Sequence, residues 1–167
     1  SGEVWVGERQ VNSLSERELN SIRLKTIGFI FQAFNLISVL NVRENVELPL
    51  LIRKDISQKE RGKRVARFIE AVGLTAQARQ RPAELSGGQR QRVAVARALV
   101  TYPKLVLADE PTANLDSKTG LEVIDLMQAI NREYKTTFVF STHDPKIMQR
   151  ASVIYHIEDG ALQSDMA

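Results

Sequence analysis

Residues 85–92 read Leu85-Ser86-Gly87-Gly88-Gln89-Arg90-Gln91-Arg92, and the fold turns on what that run is for. A serine before two glycines at a helix start presents a hydroxyl and several backbone N–H groups, with no side chains in the way. The helix dipole adds to them, and together they make a site for an anion. Taken alone, Ser-Gly-Gly reads as an ordinary N-cap and a flexible turn. Its place in the chain changes the reading. Further on, the apolar run Leu105-Val106-Leu107-Ala108 ends abruptly in Asp109-Glu110. A buried strand that delivers a carboxylate to its C-terminal end can hold Mg²⁺, which keeps part of its water shell and takes few protein ligands. Glu110, one residue on, points differently and is placed to polarise an attacking water. A capping turn before Pro111 would explain the Asp-Glu pair by itself.

Composition narrows the classes. The chain has 167 residues, enough for one core, with 43% hydrophobic and 26% charged residues, which excludes a disordered segment. Its net charge of +3, from 23 basic and 20 acidic residues, is too mild to predict nucleic-acid binding. There is no cysteine, so disulfides and thiolate metal sites are excluded. No apolar run approaches the roughly 20 residues a membrane helix needs, so any link to a membrane goes through a partner. The opening SGEVWVGERQ lacks the pattern of a signal peptide.

Short strands separated by helices indicate an α/β protein. Strands are expected at Glu3–Val6, Thr26–Phe31, Lys104–Ala108 and Thr136–Ser141, the last two buried. Residues 35–53 are ambiguous, with Pro49 interrupting them. Ser57 and Glu60 have capping-box spacing ahead of a helix with Val65, Phe68, Ile69 and Val72 on one stripe, closed by Gly73. Arg61, Lys63, Arg64 and Arg67 fall on its other faces, as a solvated surface. Helices are also expected from Ser86 to about Val100, over 117–134, and briefly after Asp144-Pro145. A closing hairpin is expected around Asp159-Gly160, from Ser152 to beyond Ala161. His156 lies outside any motif and receives no role.

The order of these motifs resembles that of the ATP-binding-cassette (ABC) ATPases. Leu85–Gln89 resembles their signature motif, and the strand ending in Asp109 resembles their Walker B segment. Gln32, ending the strand IGFIF, resembles the Q-loop glutamine. Ala113-Asn114-Leu115-Asp116 resembles the D-loop, and His143, after TTFVFST, resembles the switch histidine. The resemblance implies ATP and Mg²⁺ as cofactors, with Asp109 and Gln32 on the metal. It implies Glu110 on the water and His143 on the γ-phosphate as catalytic residues. Ser86, Gly87, Gly88, Gln89, Gln32 and Asp116 would contact nucleotide. In such a cassette two subunits pair head to tail, and the signature serves the partner's nucleotide.

The family's Walker A loop, G-x-x-x-x-G-K-[ST], does not occur in these 167 residues. At Gly62-Lys63, Ser57 stands in the place of the first glycine and Arg64 follows the lysine. The expectation is therefore a P-loop NTPase-like core sheet with an inserted helical subdomain, N-terminally truncated. Residues 1–32 and 100–167 would form the incomplete ATPase core and 33–99 the helical signature subdomain. An open strand edge, uncovered apolar helix faces and a chain inactive by itself are expected to follow.

DNA-repair and chromosome-structuring ATPases of the same class insert a long coiled coil or zinc module between Q-loop and signature. Here residues 33–85 are too short and contain neither. A translation-factor cassette normally belongs to a long chain with two cassettes, and a non-hydrolysing regulatory or interaction fragment would keep the motifs without the reaction. FQAFNLI, NVRENVELPLL and LADEPTANLDS resemble the transporter group serving lipoprotein release and macrolide export. That resemblance implies a membrane permease subunit as partner, contacting Gln32 and the 35–55 region, and a homodimer or second ATPase subunit. It implies no nucleic-acid partner. The location would be cytoplasmic, peripheral on the inner face of the cell membrane.

Overall fold

The computed structural model describes residues 2–163, with the side chain of Lys146 excepted. At its centre lie three parallel strands, β3 (Ile27–Ile30), β4 (Leu105–Asp109) and β5 (Thr137–Ser141), in the order β3-β4-β5. A short hairpin of β1 (Trp5–Val6) and β2 (Arg9–Gln10) precedes them, and a second, β6 (His156–Glu158) with β7 (Ala161–Gln163), follows. Its turn uses Asp159 and Gly160, both at positive φ, as a two-residue hairpin turn requires.

Parallel neighbours need crossover connections, and both are helical. Between β3 and β4 run α2 (Val42–Leu51), α3 (Gln58–Ala71) and α4 (Gly87–Leu99), and between β4 and β5 runs α5 (Ser117–Tyr134). Gly28 lies where α4 meets the sheet, since a Cβ there would stand 2.4 Å from the Ala98 carbonyl oxygen. Gly28, Ile30, Val106 and Ala108 thus form a buried face. Ile30, Val106 and Ala108 share one core with Val95 and Leu99 of α4 and with Val123, Met127 and Ile130 of α5.

The residues between them, Ile27, Phe29, Leu105, Leu107 and Val139, lie on the opposite face and are only partly covered. The expectation of two buried strands is corrected accordingly. β4 is buried on alternate residues, and β5 is an edge strand whose residues are exposed or half-buried, with Val139 50% exposed. Among the described residues β5 pairs with β4 alone.

The ambiguous stretch resolves into helix α2, and its organiser is Asn45. That side chain is fully buried. Its Oδ1 accepts from Ile37 N at 2.8 Å, and its Nδ2 donates to the carbonyls of Ile37, Leu40 and Asn41. Asn41 and Glu44 cap the helix reciprocally, and Pro49 is carried in its last turn.

A further helix, α1 (Glu16–Thr26), has no counterpart among the expected elements. Glu18 accepts from both the N–H and the hydroxyl of Ser15 at its start. The box expected at Ser57 is half-formed. Glu60 N donates to Ser57 Oγ at 3.3 Å, while the Glu60 carboxylate accepts instead from Arg64 at 2.8 Å. The other arginines of that helix are likewise engaged. Arg61 faces Glu47, and Arg67 donates to the Tyr134 hydroxyl and lies over its ring. The last helix, α6 (Pro145–Met148), starts after Asp144 as expected.

Candidate functional site

Because β3, β4 and β5 are parallel and in register, the residues that leave their C-terminal ends gather at one edge of the sheet. Gln32 follows β3, Asp109 ends β4 with Glu110 just after it, and Thr142 and His143 follow β5. Asp109 faces Ser141 across the last rung, and Glu110 N donates to the Ser141 carbonyl at 2.9 Å.

Glu110 is the structural centre of this edge. Its backbone sits at φ +41°, a left-handed conformation that costs a non-glycine residue on the order of 1 kcal/mol or more. The kink turns its carboxylate toward the end of β5. There Oε1 lies 2.6 Å from His143 Nδ1, and Oε2 accepts from the Thr142 hydroxyl at 3.2 Å. Thr142 Oγ in turn accepts from Asp144 N at 3.2 Å, which fixes the hydroxyl's direction. The Glu110 side chain is 22% exposed and that of His143 88%, so the imidazole opens to solvent while the carboxylate is held behind it. The sequence pattern singles out Glu110 and His143 but not Thr142, whose hydroxyl holds the second carboxylate oxygen.

Gln32 and Asp109 are both exposed at the same edge. Among the described residues no group of three or more His, Cys, Asp and Glu side chains is placed to hold a metal. One carboxylate and one amide oxygen do fit Mg²⁺, a hard ion that binds few protein oxygens and completes its shell with water and phosphate.

The start of α4 is a second region. Ser86 is its N-cap, accepting from Gln89 N at 3.2 Å, while Gln89 Oε1 accepts from Ser86 N at 2.9 Å. The capping box leaves the N–H groups of Gly87 and Gly88 without intrahelical acceptors, as in any helix start. The glycines also meet a packing demand invisible in the sequence. A Cβ on Gly88 would stand 2.3 Å from Thr119 Cγ2, and one on Gly87 3.3 Å from Leu115 Cδ2.

Residues 112–116 join the two regions. Asn114 Nδ2 donates to the Gln32 carbonyl at 2.8 Å, and Leu115 packs against Gly87. Asp116 caps α5 by accepting from Lys118 N and Thr119 N. The hydrogen bond from Thr119 is the largest cause holding its carboxyl below the ordinary aspartate value. One oxygen of its carboxylate is thus engaged within the chain as a helix cap.

Such a sheet, with a carboxylate pair at the end of its middle strand and a glycine-started helix beside it, defines a nucleotide-binding α/β protein of the P-loop NTPase type. The family model described as ABC transporter matches residues 1–113. The lipoprotein-releasing system ATP-binding protein LolD of Coxiella burnetii is 42% identical over 165 residues, spanning 99% of this chain and 71% of that protein. The ABC transporter ATP-binding protein YknY of Bacillus subtilis is 45% identical over 160 residues, spanning 96% and 69%. Among solved structures, the dimeric ATP-binding cassette MJ0796 in a post-hydrolysis state with ADP and Pi superposes with a TM-score of 0.84. It is 42% identical and spans 98% of this chain and 72% of that one. The chain belongs to the ABC transporter family of ATP-binding ATPases. None of its described helices is long and apolar enough to cross a membrane.

Proposed function

We propose that this chain belongs to the ATP-binding subunit of an ABC transporter of the lipoprotein-releasing and macrolide-exporting kind, whose complete form hydrolyses ATP. It would act as a head-to-tail dimer on a membrane permease, from the cytoplasmic face. The observation that carries the reading is the Glu110–His143 pair, 2.6 Å apart at the tip of β4 beside the exposed Asp109. Resemblance to LolD supports the transport assignment, and the dimeric cassette MJ0796 supports the pairing.

Mg-ATP supplies the reaction, an in-line attack by water on the γ-phosphorus that is catalysed mainly by positioning and charge stabilisation. Asp109 and Gln32 would hold Mg²⁺, which would neutralise charge on the phosphates. Glu110 orients the water and accepts its hydrogen bond. His143 holds the carboxylate through Nδ1 and presents the rest of its open imidazole to the phosphate. Ser86, Gly87, Gly88 and Gln89 offer N–H and hydroxyl donors to the partner's nucleotide, with Asp116 keeping the adjoining loop in place. Residues 33–99 act as the helical signature unit on a core formed by 1–32 and 100–167. Residues 1–167 contain no G-x-x-x-x-G-K-[ST] loop, so we read this stretch by itself as unable to hydrolyse ATP.

The test is Glu110→Gln in the full-length protein. Hydrolysis should fall by about 10²-fold or more while ATP binding persists, because the amide removes the base but keeps the shape. Unchanged hydrolysis would remove Glu110 from the reaction.

A further inference from the structure

The turn after β3 carries Gln32 and then passes through two consecutive left-handed residues, Phe34 at φ +60° and Asn35 at φ +48°. Neither is glycine, and a phenylalanine there is strained, so surrounding contacts must hold the turn. The contacts come chiefly from α4. Arg97 donates through Nη1 to the Asn35 carbonyl at 2.5 Å and through Nη2 to the Phe34 carbonyl at 2.7 Å. Arg90, two turns earlier on the same helix, lies over the Phe34 ring with its guanidinium carbon 5.4 Å from the centroid. It also donates to the Leu85 carbonyl at 3.3 Å, just before the Ser86 cap. At the other end of the turn, Asn114 holds the Gln32 carbonyl.

Arg97 is half-buried, and burial pushes its pKa down. Both of its hydrogen bonds go to neutral carbonyls, so it is placed here to organise backbone. A planar fork can bridge two adjacent carbonyls, whereas a lysine offers one point charge. The neighbouring Ala98 carbonyl lies against Gly28 of β3, which seats this end of α4 firmly on the strand. One rigid helix therefore runs from Ser86 to the two carbonyls that shape the Gln32 turn.

We propose that Arg97 is a positioning residue for hydrolysis, clamping the 31–35 turn to α4 so that a shift at the Ser86–Gln89 end of the helix is carried to Gln32. The proposal rests on the reading of Gln32 as a group on the metal or water.

The experiment is a double-mutant cycle in the full-length protein with Arg97→Met and Gln32→Ala, measuring Mg²⁺-dependent hydrolysis and thermal stability. Arg97→Met should lower kcat about tenfold and raise the Mg²⁺ concentration for half-maximal rate, as expected for a misplaced ligand. In the Gln32→Ala background the same substitution should cost less than about twofold, because its effect runs through Gln32. Arg97→Lys, which can still reach one carbonyl, should fall between, and serves in place of Arg97→Met if that variant does not fold. Equal losses in both backgrounds, or no loss, overturn the clamp. Absence of Mg²⁺-dependent hydrolysis in the unsubstituted protein overturns the functional reading itself.

Discussion

The tip of the central sheet and the start of α4 are both rich in groups that suit a phosphate, yet they are built in opposite ways. At the tip, strain and exposure are concentrated. Glu110 holds a left-handed backbone, His143 stands almost wholly in solvent, and Asp109 and Gln32 are exposed. At the start of α4 the side chains are already satisfied. Ser86 and Gln89 cap one another, and Gly87 and Gly88 are set against residues 114–119. Strain of this kind persists only where the surroundings enforce it, and it favours function at the first region. The second is a stiff platform whose offer to a ligand is backbone N–H.

That contrast can be broken at either end. The largest effect is expected from Glu110→Gln, with its loss of hydrolysis of about 10²-fold at nearly unchanged stability. If stability fell as much as activity, the tip would be structural and the contrast would disappear. Next is Gly88→Ala, which places a methyl group 2.3 Å from Thr119 Cγ2. We expect a destabilisation of about 1–3 kcal/mol by overpacking. Most of it should return when Thr119→Ser removes the opposing methyl, as read by denaturant midpoints. Failure of that rescue would mean that the clash is not with Thr119, and no destabilisation at all would leave the glycine to the ligand alone.

The smallest effect concerns Asp116, whose carboxyl is held below its ordinary value by the Thr119 and Lys118 hydrogen bonds. A depressed carboxylate stabilises the fold when ionised. Its contribution is whole above the unfolded value and is lost as pH falls through the folded one. Stability in acid should therefore decline below about pH 4. Asp116→Asn, which still caps, should flatten that decline while leaving neutral-pH stability nearly unchanged.

Much of this is legible in the residues. The Leu105–Asp109 strand runs one residue past the expected Ala108, and the helices at 87–99 and 117–134 fall where period and caps place them. Gln32, Asp109, Glu110 and His143 share one edge because they end or closely follow strands that are parallel and adjacent, and of them Glu110 and His143 touch. The helix α1 escapes sequence reading although Ser15 and Glu18 carry a capping box, since its apolar stripe is weak and none of its residues is buried. Residues 35–53 are ambiguous because Asn45, their organiser, acts through backbone carbonyls brought near only by the fold. The run TTFVFS has the apolar content of a buried strand, but burial depends on neighbours, and among the described residues β5 pairs with one strand. Neither the left-handed twist at Glu110 nor the grip of Arg97 on residues 34 and 35 leaves a mark in composition or spacing.

The division between the two regions is tested most directly by mixing two inactive full-length proteins, one carrying Glu110→Gln and the other Ser86→Arg. In a head-to-tail dimer the mixed species has one doubly damaged site and one intact site. That site combines Glu110 from the second protein with Ser86 from the first. The account predicts recovery of roughly a quarter of the unsubstituted rate, with half the dimers mixed and one of two sites restored in each. No recovery, under conditions where mixed dimers are shown to form, would contradict it, because the tip and the α4 start of one subunit would then serve the same nucleotide.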